Sequence, residues 1–289
     1  MRLFYYVHTG HRIGLDRFHR AAAIINQLGD IDITLLSPDY RIAAEAKDFG
    51  IKRSVGMDVV RNIPQIAQHG DKIIFDSAEL NPMLLDDMSQ FFSTFIRIGD
   101  SPSDTKHPNE FLISPYLSGE GIVQGIVIGE HYYEQLPKTI PMTLFFGDDD
   151  YEKDLESHQA MFAPFEMDLL MGFYHFLGYE KVLQKSFKTI HEWEEYDEVI
   201  RSTDVLITAS PMAVLQSLAG GGRPIYLQRP DYASDFIPLF QSLNISIVEG
   251  YDSASLMTAV SSLSKVTYGK LSQSDHKVIE FIKKAFHLG

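Results

Sequence analysis

The stretch Asp204-Val-Leu-Ile-Thr-Ala-Ser210-Pro-Met-Ala-Val-Leu-Gln216-Ser-Leu-Ala-Gly-Gly-Gly222-Arg-Pro-Ile-Tyr-Leu-Gln228 reads as strand, tight loop, helix, glycine turn, strand. The apolar run from Val205 to Ile207 is short enough for a buried parallel strand. Ser210 and Pro211 form an N-cap and first-turn pair for the helix that follows, Gly220 to Gly222 stop that helix, and Pro224 opens the next strand. A helix starting at the carboxyl end of a parallel strand turns its unpaired N–H groups and the positive end of its dipole outward, which suits a phosphate.

Outward from this segment the same alternation fills the chain. The N-terminal part predicts strand 3–7, helix 17–28, strand 33–36, helix 42–49, a helix near 59–68, strand 72–75, helix 82–92 and strand 94–98. A polar stretch at 100–109 and a glycine-rich one at 118–129 lead to a boundary placed at 140/141. The alternation restarts with strand 143–146, the loop 147–150, a long helical region through 176, strand 187–190 and helix 196–202. After the quoted segment come strand 245–248 and helices from 254 and over 272–286. Strands alternating with helices imply an α/β protein whose parallel sheets are covered on both faces. The expectation is two Rossmann-like domains facing a cleft, residues 1–140 and 141–289. Strands run out into Thr9-Gly10, Ser37, Asp76-Ser77 and Gly99-Asp100, the ends at which open α/β sheets bind ligands.

Composition narrows the chemistry. A chain of 289 residues accommodates about two domains of ~150 residues. No apolar run approaches the ~20 residues of a membrane-spanning helix, and Met1 to Val7 resembles a first strand rather than a signal peptide, so a cytoplasmic location is expected. The absence of cysteine excludes disulfides, thiolate catalysis and cysteine-ligated metal. With 25 Lys plus Arg against 39 Asp plus Glu, the formal charge of -14 argues against nucleic acid or anionic lipid as a partner.

Taken in order and spacing, Thr9-Gly10-His11, Ile74-Phe75-Asp76-Ser77, Ile98-Gly99-Asp100, Ser114-Pro115-Tyr116, Leu144-Phe-Phe-Gly147-Asp148 and the Ser210 to Pro224 segment resemble the GT-B superfold. Within it they resemble the nucleotide-sugar hydrolases of the pseudaminic acid pathway and related spore-coat polysaccharide glycosyltransferase-like proteins. The resemblance implies an N-terminal acceptor or catalytic domain and a C-terminal nucleotide-binding domain. It also implies a nucleotide sugar as ligand, a UDP-sugar first, no cofactor or metal, and reaction at the anomeric carbon by water or by an acceptor hydroxyl. Two departures stand out. The family's Gly-His followed closely by Arg is stretched here to Gly10-His11-Arg-Ile-Gly14-Leu-Asp16-Arg17, so that either His11 acts from a longer loop or Gly14 takes the turn. Gln216 stands where related proteins place a Glu on the ribose, which leaves open a binding module that has lost turnover.

On this resemblance His11 and Asp76 are the expected catalytic groups, His11 as general base. Gly147, Asp148, Ile190, His191, Ser210, Pro211, Met212, Ala213 and Gln216 are expected at the nucleotide. Gly10, Gly14, Arg17, Asp100 and Asp231 are expected at the sugar. The run Asp148-Asp149-Asp150 also reads as helix capping, and His8 and His19 as packing or surface residues.

Overall fold

The computed structural model describes residues 1–79, 81–271 and 276–288. Contacts group them into two compact units, one built from Met1–Gly10, Arg17–Gly129 and 276–288, the other from His11–Asp16 and the chain from Glu130 to 271. The division falls at Gly129 and Glu130, ahead of the expected 140/141, and short segments at both ends exchange units.

The first unit carries β1 (Leu3–Val7), α1 (Asp16–Leu28), β2 (Ile33–Ser37), α2 (Tyr40–Glu45), β3 (Arg53–Gly56), α3 (Ile63–Ile66), β4 (Lys72–Asp76), α4 (Pro82–Phe91), β5 (Thr94–Ile98), β6 (Phe111–Ser114) and β7 (Ile122–Gln124). Its seven strands are all parallel, in the order β3-β2-β1-β4-β5-β6-β7. Every residue of β1 is buried, as a strand covered on both faces requires. Helix α1 buries Phe18 and Ile24 together with the small run Ala21 to Ala23. On the side of α3 and α4 the core gathers Phe4, Tyr6, Ile73, Phe75, Leu84, Met88 and Phe95. Burying each such side chain stabilises the fold by roughly 1.5–3 kcal/mol.

The second unit carries β8 (Ile140–Phe145), α5 (Asp154–Ser157), α6 (Gln159–Phe162), β9 (Asp168–Leu170), α7 (Tyr179–Leu183), β10 (Ile190–His191), α8 (Tyr196–Ser202), β11 (Thr203–Thr208), α9 (Pro211–Ala219), β12 (Arg223–Gln228), α10 (Ile237–Ser242), β13 (Ser246–Glu249) and α11 (Ser253–Ser262). The order β10-β9-β8-β11-β12-β13, again all parallel, repeats the doubly wound pattern of the first sheet. Its core centres on Leu144, Phe146, Phe162, Leu169, Ile207, Ile225 and Leu227. The last helix, α12 (Lys277–Ala285), belongs to the first unit, where Phe281 meets Phe111 edge to face.

Several expected elements are corrected. The long helical region through 176 is two one-turn helices followed by strand β9. Pro164 interrupts the helical pattern, and Leu169 and Leu170 are fully buried as a strand beside β8. The expected helix at 59–68 is a 3-10 turn, Val60–Asn62, and the single turn α3, while β3, β6 and β7 are strands beyond those expected. Helix α2 starts at Tyr40 because Asp39 caps it, accepting from the Arg41 and Ile42 amides, and it ends at Glu45 rather than 49. Of the expected helix 272–286, residues 272–275 lie outside the described residues.

Candidate functional site

In a doubly wound sheet the strand order reverses between two adjacent strands, and ligands bind beyond their carboxyl ends. In the second unit those strands are β8 and β11. Beyond β11, Ser210 is the N-cap of α9, its extended backbone (φ -86, ψ 116) placing Oγ to accept from the Ala213 amide at 3.0 Å. Pro211 occupies the first turn, as expected. The remaining donors of this helix start are in use. The Asp16 carboxylate accepts from the Ser210 hydroxyl and, at 3.2 Å, from the Met212 amide. An oxygen anion of the chain itself therefore already occupies this helix start.

The segment carrying Asp16 is held against the loop after β8. The Leu15 amide donates to Asp148 Oδ2 at 2.8 Å and the Arg12 amide to Asp149 Oδ2 at 2.5 Å. A Cβ on Gly14, whose φ is +79, would lie 3.5 Å from that Asp148 oxygen. Burial, together with the Asp16 charge, pushes the Asp148 carboxyl up to about 7. His11 packs against the Tyr174 ring at 4.7 Å, and its Nδ1 lies 3.3 Å from Asp149 Oδ2. A carboxylate at one ring nitrogen orients the imidazole. Asp150 does what the capping interpretation of the acidic run predicts, accepting from the Asp154 and Leu155 amides and from the Tyr179 hydroxyl.

Close backbone approach shapes the same loop. A Cβ on Gly172 would sit 2.4 Å from the Gly147 carbonyl oxygen, so the chain after β9 touches the loop after β8 only because residue 172 has no side chain. Gly147 itself has φ +110. Arg229, 2% exposed, locks this loop from the end of β12. Its guanidinium donates to the Phe146 and Asp149 carbonyls at 3.2 and 2.7 Å, lies between the Phe146 and Tyr232 rings, and pairs with Asp231. Asp231, expected at a sugar, is thus the partner of Arg229. Gln216 is 2% exposed and accepts from the Tyr196 hydroxyl at 2.6 Å, which leaves its amide N–H groups as the donors of that position. Burial, with Asp148 and Asp16 nearby, keeps the Tyr196 phenol protonated. Ile190 and His191 form the edge strand β10, and His191 bridges Asp168 at 3.1 Å and Glu195 at 3.4 Å.

In the first unit the corresponding strand ends belong to β1 and β4. There Asp76, at the end of β4, is fully buried. It accepts from Arg20 Nε and Nη2 at 2.9 and 2.6 Å and from the Tyr5 hydroxyl at 3.0 Å. Asp76 is therefore corrected from a catalytic group to a scaffold anion, because both of its oxygens are bonded away from solvent. Asp100 accepts from Arg20 at 2.6 Å and from Arg17 at 3.1 Å, which takes the side chains of Arg17 and Asp100 into one ionic cluster. Burial raises the Asp100 carboxyl, but Arg20 and Arg17 outweigh it and hold the group below its usual range. Gly10 follows β1 with φ +153 and groups with this unit, while His11 groups with the other. His19 is buried and lies edge-on to Phe49, and His8, half-buried, faces Glu79 at 3.8 Å. Among the described residues no group of three His, Asp or Glu side chains is arranged to hold a metal ion.

Asp16, Arg20, Tyr196 and Arg229 had no assigned role in the sequence. Only Asp16 carried a signal, an acid in the first turn of a helix, and that signal predicts dipole pairing with its own helix rather than a bond to another.

No family model and no curated protein matches the sequence. Solved structures do match, over the whole chain. UDP-GlcNAc 2-epimerase from Methanocaldococcus jannaschii, in complex with UDP-GlcNAc and UDP, superposes with a TM-score of 0.63 at 11% identity, covering 100% of both chains. MurG from Acinetobacter baumannii gives 0.58 at 10% identity, covering 100% of this chain and 96% of its own. A glycosyltransferase from Rickettsia africae gives 0.56 at 10% identity, covering 99% and 92%. The fold is GT-B. At such identities the likeness concerns the path of the chain, so the GT-B assignment states architecture, and chemistry has to be argued from the residues above. No helix among the described residues is long and apolar enough to cross a membrane.

Proposed function

We propose that this GT-B protein binds a nucleotide sugar, a UDP-sugar first, and breaks the bond between the anomeric carbon and the diphosphate. The observation that carries the proposal is the helix start of α9, whose Ser210 hydroxyl and Met212 amide already hold an oxyanion beyond the switch-point strand β11. In the reaction those groups take the diphosphate as negative charge develops on it, a preorganised arrangement of the kind worth about 2.7–4 kcal/mol per donor elsewhere. Gln216 supplies amide donors one turn deeper, for the ribose, with Tyr196 holding its orientation. His11, oriented by Asp149, removes the proton from the attacking water or acceptor hydroxyl. Hydrolase and transferase differ only in that nucleophile. The Methanocaldococcus jannaschii epimerase, crystallised with UDP-GlcNAc and UDP on a comparable chain path, supports the choice of ligand class.

The test is a calorimetric screen of the purified protein against UDP, GDP, CDP, dTDP, CMP and ADP, followed by incubation with the matching nucleotide sugar. Binding of one diphosphate and its release from the sugar are expected, and His11→Gln lowers turnover while sparing diphosphate affinity. Unchanged turnover in that variant removes the base from the proposal, and binding of none of the nucleotides removes the proposal itself. A second reading, a binding module without turnover, draws on the seat being filled by the chain's own carboxylate and on Gln216 being engaged by Tyr196. It predicts diphosphate binding with no release from any sugar or acceptor pair.

A further inference from the structure

We infer that Asp16 is an intramolecular competitor for the phosphate seat of α9, so that a diphosphate binds only when the Asp16 carboxylate leaves it. The inference rests on the proposed assignment of that seat and adds a regulatory contact to it. Asp16 takes the Ser210 hydroxyl and the Met212 amide together, the two donors that a phosphate oxygen would need. Ala213 offers no replacement, because its amide is bound to Ser210 Oγ. The contact is built rather than incidental. The preceding backbone is pinned twice, at Leu15 to Asp148 and at Arg12 to Asp149, and the Arg12 guanidinium pairs with Glu152 and lies over the Tyr151 ring.

Charge makes the two occupants mutually exclusive. A diphosphate added beside Asp16, Asp148 and Asp149 would bring two or more negative charges into a place where burial first, and the Asp16 charge second, already raise the Asp148 carboxyl to about 7. With Asp16 withdrawn, the α9 dipole and two donors become available to the incoming phosphate. The unliganded protein then binds with an affinity reduced by the fraction of time the seat is open, which for an opening of roughly 1–10% is a penalty of about 10- to 100-fold.

The experiment compares wild type, Asp16→Ala and Asp16→Asn, all as the full chain, with UDP as the probe. Calorimetry gives the Kd, and hydrogen exchange reports the Met212 amide. The expected result is a Kd for UDP about 10- to 100-fold lower in D16A, with D16N between the two because its amide keeps the shape without the charge. The Met212 amide should be protected in wild type, exposed in D16A, and protected again when UDP is added to D16A. Equal affinity of wild type and D16A for UDP overturns the inference while leaving the nucleotide-sugar proposal standing. A Met212 amide that exchanges as fast in wild type as in D16A overturns it independently of any ligand. Failure of every form to bind UDP overturns the seat assignment itself, and the competitor with it.

Discussion

Asp148→Asn should make the protein more stable at pH 8 and should remove most of its loss of stability between pH 4 and 7. The Asp148 carboxyl is 6% exposed and is raised from 3.8 to about 7, first by burial and then by the charge of Asp16. Below about pH 4 the group is protonated in both the folded and unfolded chain and contributes no difference. Between 4 and 7 the folded state holds a proton that the unfolded state has released, so stability falls as pH rises. Above 7 the folded carboxyl ionises and the full penalty is present. At about 1.36 kcal/mol per tenfold change in acidity, that penalty is roughly 4 kcal/mol. Asn keeps an oxygen to accept from the Leu15 amide and carries no charge to desolvate. Urea unfolding of wild type and D148N at pH 4.5, 6 and 8 measures the difference. Near-equal stability at pH 4.5 and a gain of several kcal/mol at pH 8 are expected; a variant that is the less stable of the two at pH 8, or that falls as steeply with pH as wild type, refutes the argument.

Arg20→Ala should destabilise by about 3–5 kcal/mol, since it removes the bidentate partner of the buried Asp76 carboxylate and leaves Asp100 with Arg17 alone, and thermal unfolding near neutral pH should show the cost shrinking when Asp76→Asn and Asp100→Asn are added. Tyr196→Phe should cost about 1–3 kcal/mol by leaving Gln216 Oε1 without its donor in a buried site; denaturant titration of Y196F against Y196F/Q216L separates that loss from simple packing. Gly172→Ala should destabilise by more than about 1 kcal/mol, because its Cβ would meet the Gly147 carbonyl at 2.4 Å, and a melting temperature equal to wild type would show that the loops have room to part.

What was legible in the sequence was whatever is encoded over a few neighbouring residues. The strand and helix of the 204–228 segment, with Ser210 capping and Gly220 to Gly222 terminating, appear where the sequence puts them, because caps, proline and glycine act on their own backbone. The alternation of short apolar runs with amphipathic helices fixes two parallel sheets in the same way, since a strand buried on both faces must be apolar throughout. The placement of Asp150 as a cap and the packing of His19 follow from the same local logic. A strand of three residues is too short for its periodicity to show in the sequence: β9 exists because β8 offers it a parallel edge, and the expected strand at 187–190 is the two-residue β10, which pairs with β9 in turn.

The candidate site was legible only in its donors. Nothing in the local sequence says that Asp16 would cross 194 positions of chain to bond Ser210, that Arg20 would neutralise Asp76 and Asp100, or that Arg229 would lie between Phe146 and Tyr232. A charged residue removed from water takes whichever opposite charge or donor the fold brings within reach, and that choice is made by the three-dimensional path of the chain. Sequence alone therefore determined the two sheets and the outward-facing helix start, and the tertiary structure decided which anion occupies it.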